Sequence, residues 1–201
     1  MSASTLRSPQ VSDFADIWYA ARESTTSPLP LKTNIPLRQL APLMPKMSML
    51  RPDAQGIVHY QLFGTQLAAE FGMDLTGTAV HSNMDVASAS RVLAQFVNFY
   101  DQHGDQTPWA RWVFATARST SGRRIEYESL ALPYLETSTT GVRHMMFSLP
   151  LVTLEYGEAL DPCLIEHSSS IFPANESRPN WLHYNRPQQT RDSPPFAKST
   201  Q

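Results

Sequence analysis

Cysteine is almost missing from this chain of 201 residues. Cys163 stands alone, which excludes an internal disulfide framework and a zinc site built on cysteines. Lysine is nearly as scarce, with only Lys32, Lys46 and Lys198, and the arginines are scattered. Phosphate backbones are gripped by clustered Lys and Arg. With 16 basic residues against 18 acidic ones, for a net charge of -2, nucleic-acid binding is not expected. No apolar run approaches the roughly 18 residues of a membrane span, so no membrane insertion is expected. Met1 to Gln10 is polar and lacks the pattern of a secretory signal, and a cytoplasmic location is the expectation. Also missing are a Walker loop, a glycine-rich dinucleotide turn, a G-x-S-x-G elbow and an HExxH or HxH pairing. There is no internal repeat.

What the chain does have is apolar mass. It is 41% hydrophobic and 10% aromatic, which is enough for one sizeable core. The 16 prolines divide it, because proline removes a backbone donor and avoids the interior of regular elements. They crowd the segment up to Pro52 and the stretch from Pro162 onward, and leave the middle nearly clear. This predicts an N-terminal helix and extended lead-in over 1–35, a main domain over 36–154, and a C-terminal extension over 155–201. The extension is rich in Ser, Asn, Gln and Pro and is expected to be irregular and partly disordered, with Trp181, Leu182 and Tyr184 able to dock on a surface.

Periodicity fills in the elements. Phe14, Ile17, Trp18 and Ala21 fall at i, i+3, i+4 and i+7, predicting an amphipathic helix over Ser12 to Arg22 with Ser12 as N-cap. A helical turn over Leu37 to Met44 and a strand over Met47 to Leu50 follow. Alternation over Ile57 to Phe63 predicts a second strand, with Val58, Tyr60 and Leu62 on one face. A short helix is expected from Thr65, as N-cap, to Phe71, with Gly72 at its left-handed stop. A long helix should run from about Asp85 to His103. Three strands, roughly Ala110 to Ser119, Arg124 to Tyr134 and Val142 to Leu154, complete the domain.

The residues now carry a likeness. Tyr60-Gln61-Leu62-Phe63-Gly64-Thr65, then Phe71-Gly72, then Asp74-Leu75-Thr76-Gly77, resembles the signature of the bacterial single-domain PAS proteins of the fifth PAS group. That family was long classed as a domain of unknown function. Pro36 with Leu43-Met44-Pro45 is similar to its lead-in, and Tyr127 to Pro133 to one of its strands. Trp18 fits the tryptophan of its preceding helix. Gln61 departs from the family's arginine, Ile35 from the aspartate before Pro36, and Tyr134 from a leucine. The resemblance implies an α+β fold: a five-stranded antiparallel sheet with helices on one face, an N-terminal amphipathic helix and an irregular tail. Gly64, Thr65, Gly72, Asp74, Thr76 and Gly77 are read as structural, shaping turns rather than performing chemistry.

Candidate chemistry is sparse. His81 and His103 lie where some PAS relatives bind haem, yet a solvated loop or helix-end histidine is the commoner role. A flavin-binding NCRFLQ-like helix is missing, and Cys163 lies outside the expected domain. Neither haem nor flavin nor a metal is expected. Asp74 and Glu128 could pair as carboxylates, against the plainer reading of a loop cap and a backbone-bonded strand residue. Tyr60, Leu62, Phe71, Phe96, Trp112, Phe114, Met145 and Phe147 are candidates to line a cavity for a small apolar or aromatic ligand, or else to fill the core. Phe14, Ile17 and Trp18 are candidates for a homodimer or partner surface, or for packing on their own sheet. The expected function is a non-enzymatic sensory module that binds a ligand, a signalling partner such as a histidine kinase, or both. The alternatives are an adaptor with a fully packed core and, more remotely, a small α+β enzyme.

Overall fold

The computed structural model describes residues 6–82, 86–87, 89–90, 108–137, 141–161 and 165–184. Three α-helices, α1 (Pro9–Glu23), α2 (Leu37–Leu40) and α3 (Thr65–Phe71), accompany six strands. These are β1 (Met47–Pro52), β2 (Val58–Phe63), β3 (Trp109–Arg118), β4 (Arg124–Leu135), β5 (Val142–Pro150) and β6 (Ile165–Pro173). They form one sheet of order β2-β1-β5-β4-β3-β6, every pairing antiparallel. The expected long helix falls almost wholly outside the described residues, as do Phe96, His103 and Cys163; residues 86, 87, 89 and 90 are helical.

The sheet has six strands where five were expected. β6 comes from the supposedly irregular tail and pairs along β3 from Trp109↔Pro173 to Thr116↔Ile165. Its Ser168-Ser169-Ser170 run carries no apolar alternation because it lies on an exposed edge, where neither face needs to be buried. The opposite edge is sheathed. Tyr60 N–H donates to the Thr78 carbonyl, and the Gly77 and Val80 amides bond the carbonyls of Tyr60 and Val58. Gly77 makes that return possible at φ 82, a left-handed conformation that is cheap only for glycine.

The first helix begins earlier than its apolar spacing implied. Ser8 is the N-cap, its hydroxyl accepting the Gln10 amide at 3.2 Å, and Pro9 opens the first turn. Ser12 is not a cap; it is buried inside the first turn. In the same way Thr65 is the first helical residue of α3, and Gly64 occupies the cap position without a side-chain bond. Gly64 is there for room. A Cβ would lie 2.3 Å from the Pro45 carbonyl oxygen and 2.6 Å from that of Met44.

Helices α1 and α3 lie on opposite faces of the sheet. Phe14 and Trp18 of α1 share a cluster with Trp112, Leu130, Leu132, Met145 and Phe147. Phe71 of α3 instead meets Tyr127, ring centroids 6.0 Å apart. Tyr127 and Leu130 are an odd number of residues apart on β4, so they point to opposite sides. α3 thus covers one face, and the N-terminal helix, expected as a separate addition to that layer, covers the other.

Candidate functional site

On the α3 face, β2 and α3 deliver a chain of aromatic rings. Tyr60 and Phe63 stand 5.0 Å apart, Phe63 and Phe71 6.0 Å, and Phe71 closes on Tyr127. Phe63 rather than Leu62 continues the Tyr60 side. The register shifts between Met49 and Leu50, so Leu62 opposes Met49 while Leu50 opposes Tyr60. This β-bulge flips the alternation and turns Leu62 away. The expectation that Leu62 shares a wall with Tyr60 is corrected accordingly.

Beside these rings lies Glu70 of α3, 7% exposed. Gln66 Nε2 donates to its Oε1 at 3.1 Å, while Oε2 has no partner among the described residues. Burial pushes its carboxyl up to about 7, against the opposing influence of Lys46 and Gln66. The Ser48 hydroxyl, on the same face of β1, is also buried without a partner among the described residues. Burial raises the Tyr60 phenol to about 12. Burial also raises the Tyr127 phenol well above its ordinary value, helped by the nearby Glu70 charge. His144 of β5, 2% exposed, is held down to about 4 by burial. Its neutral ring donates from Nε2 to the Trp109 carbonyl at 3.2 Å.

The α1 face is a packed interior. Trp112, Phe114, Met145 and Phe147 point here, not towards the Tyr60 and Phe71 rings. The pairings Trp112↔Leu130, Leu130↔Phe147 and Leu132↔Met145 set them side by side beneath α1. The seven described cavity candidates therefore do not line one space; Phe96 lies outside the described residues. Alternation identifies residues that share a face, but it does not say which helix covers that face. Phe14 and Trp18 are both 0% exposed, so they face their own sheet and offer no surface to a second molecule; Ile17 is half-buried against the same cluster. The Trp18 indole donates to the Pro133 carbonyl at 2.8 Å.

Glu128 lies at the centre of this face, fully buried. It accepts the amides of Arg7 at 3.0 Å and Ser8 at 2.8 Å, and the Trp112 indole N–H at 2.8 Å. Burial raises its carboxyl, and these bonds oppose the rise. Asp74 caps its own loop by accepting the Thr76 amide at 2.9 Å, and Thr76 Oγ1 accepts the Phe63 amide. Asp74 and Glu128 thus do separate, structural work. Among the described residues no group of three or more His, Cys, Asp or Glu side chains could hold a metal ion. No helix among them is long and apolar enough to cross a membrane.

Sequence reasoning passed over Glu70, Ser48 and His144. Glu70 sits in an ordinary helical pattern, and its burial comes from the sheet behind it. His144 had one signal. Pro133 opposes it in the adjacent strand and lacks an N–H, so the β3–β4 ladder stops at Arg111↔Ala131.

A sheet with a short helix on one side and an N-terminal helix docked on the other defines a PAS-type domain. A family model described as a PAS domain matches residues 6–147, and the chain belongs to that family. No curated protein and no solved structure matches it.

Proposed function

We propose that this PAS protein is a non-enzymatic sensory module that holds a small ligand on the α3 face and passes the signal on by protein–protein contact. One observation carries the reading: Glu70 Oε2 and Ser48 Oγ are buried and without a partner among the described residues, beside the Tyr60–Phe63–Phe71–Tyr127 rings. Leaving a buried polar atom unpaired costs about 1–3 kcal/mol. A ligand with an apolar or aromatic body and a hydrogen-bond donor would relieve that cost at both atoms. Such a pairing of apolar walls with a few convergent polar groups is the usual make-up of small-molecule sites. To transmit a signal, the ligand must favour one arrangement of the sheet and its helices over another.

The test is native mass spectrometry of the protein purified from its source, with thermal-shift screening of amine- and hydroxyl-bearing aromatic compounds. Retention of a ligand, lost on Glu70→Gln, supports the reading. An empty protein and no thermal shift would leave an adaptor acting through its surface alone.

A further inference from the structure

Residues 172–184 lie beyond the stretch that matches the family, and they clasp α1 from outside. Trp181 packs edge-on against Trp112 at 5.8 Å and Phe172 at 5.3 Å. Ala174 and Leu182 are fully buried. Arg178, with only 9% of its side chain exposed, pairs with Asp16 and donates to Ser12 Oγ at 3.0 Å and to the Leu182 carbonyl at 2.6 Å. The Tyr184 amide donates to the same Ser12 hydroxyl at 3.3 Å. Arg22 holds the Ala174 carbonyl at 2.9 Å and bonds that of Glu176. Ser12 is thus a receptor group for this segment, which explains a buried serine inside the first turn of the helix.

We infer that this groove is a docking site for a segment carrying an indole and a guanidinium, filled in this chain by its own residues 178–184. Its partner in trans is the same segment of a second copy. The identical segment remakes the Arg178, Trp181, Leu182 and Tyr184 contacts, so reciprocal exchange keeps them. Residues 175–177 are exposed and connect the clasp to β6, so once Arg22 lets go of the Glu176 carbonyl the segment can leave while the strand stays paired. A tethered segment competes at a high effective concentration, in the millimolar range for a short linker, so cis docking dominates in dilute solution.

A labelled peptide of residues 177–184 tests this. The full chain carrying Arg178→Ala and Trp181→Ala should bind it at least about tenfold more tightly than the unmodified chain, because cis competition is gone. Adding Asp16→Arg should abolish that binding. Equal binding by the two chains, or indifference to Asp16→Arg, overturns the proposal. Asp16→Arg alone alters an exposed carboxylate and leaves the core intact; it should speed chymotryptic cleavage after Trp181 about tenfold, reporting an opened segment. An unchanged cleavage rate counts against the clasp. In sedimentation, the unmodified chain should dimerise as its concentration rises and return to monomer with excess peptide. A monomer at every concentration removes the second copy as partner.

Discussion

The Trp18 indole N–H bonds the carbonyl of Pro133, joining the N-terminal helix to the one residue of β4 that has no N–H of its own. On the opposite face His144 bonds the carbonyl of Trp109, the residue at which β3 begins. Two side chains thus serve carbonyls where the β3–β4 ladder has stopped. Trp18→Phe keeps most of the ring and loses the bond, at a cost of about 1–2 kcal/mol. Trp18→Ala adds a cavity and should cost about 3–5 kcal/mol. Urea denaturation measures both, and a Trp18→Phe variant as stable as the parent would show that the bond contributes nothing.

Glu128→Gln replaces one carboxylate oxygen with a donor, set either against the Ser8 amide or against the Arg7 amide and the Trp112 indole. The loss should be about 2–3 kcal/mol, because the bonds to the replaced oxygen are broken and those that remain lose their charge assistance. Faster amide exchange at the start of α1 should accompany it. Unchanged protection there would mean that the helix start is held by packing alone.

Glu70 gives a pH dependence with a definite sign. Its folded carboxyl titrates near 7 against an ordinary 4.5. Between these values the unfolded chain ionises first, so the stability present below pH 4.5 is lost as pH rises towards 7. Glu70→Gln removes this loss, and the variant should gain about 2 kcal/mol relative to the parent across that window. Parallel stability curves for the two proteins would refute the assignment.

Glu158 runs the other way. Bonds from Ser119, Ser121 and the Glu155 amide, with the Arg123 charge, hold it down to about 2. Its contribution is present above 4.5 and disappears as pH falls through about 2. Glu158→Gln should make the acid limb of the stability curve shallower between those values. An unchanged limb would place the acid sensitivity elsewhere.

Gly64→Ala is expected to leave no soluble folded protein, since its methyl meets two backbone carbonyls that cannot rotate away. Gly56→Ala, also at a glycine turn but with open space around it, should cost only the strain of φ 80. Equal expression and stability of the two variants would contradict the steric account.

Local features were the legible ones. Gly72 and Gly77 announce their turns because the constraint, a left-handed backbone, lies at each glycine itself, whereas Gly64 is required by the carbonyls of Met44 and Pro45, far back in the chain. The stripe of α1 and most strand limits follow from periodicity. Non-local features were not legible. The bulge that turns Leu62 away depends on β1, and whether Trp112 and Phe147 line a cavity or pack beneath α1 could not be read because no period records which layer lies above a sheet face. The start of α1 was readable from Ser8-Pro9, a cap followed by proline in the first turn, but the apolar spacing drew attention to Ser12. β6 has no apolar alternation to read, and its place is set by the open side of β3.

The sheet is asymmetric in its borders. Residues 77–80 close off one rim, while the other ends in β6, exposed along 165–169 and kinked where its register against β3 slips. Among the described residues, β6 is the one rim left open to an added strand. Rim-to-rim growth would therefore stop at a closed pair and not run on into a fibre.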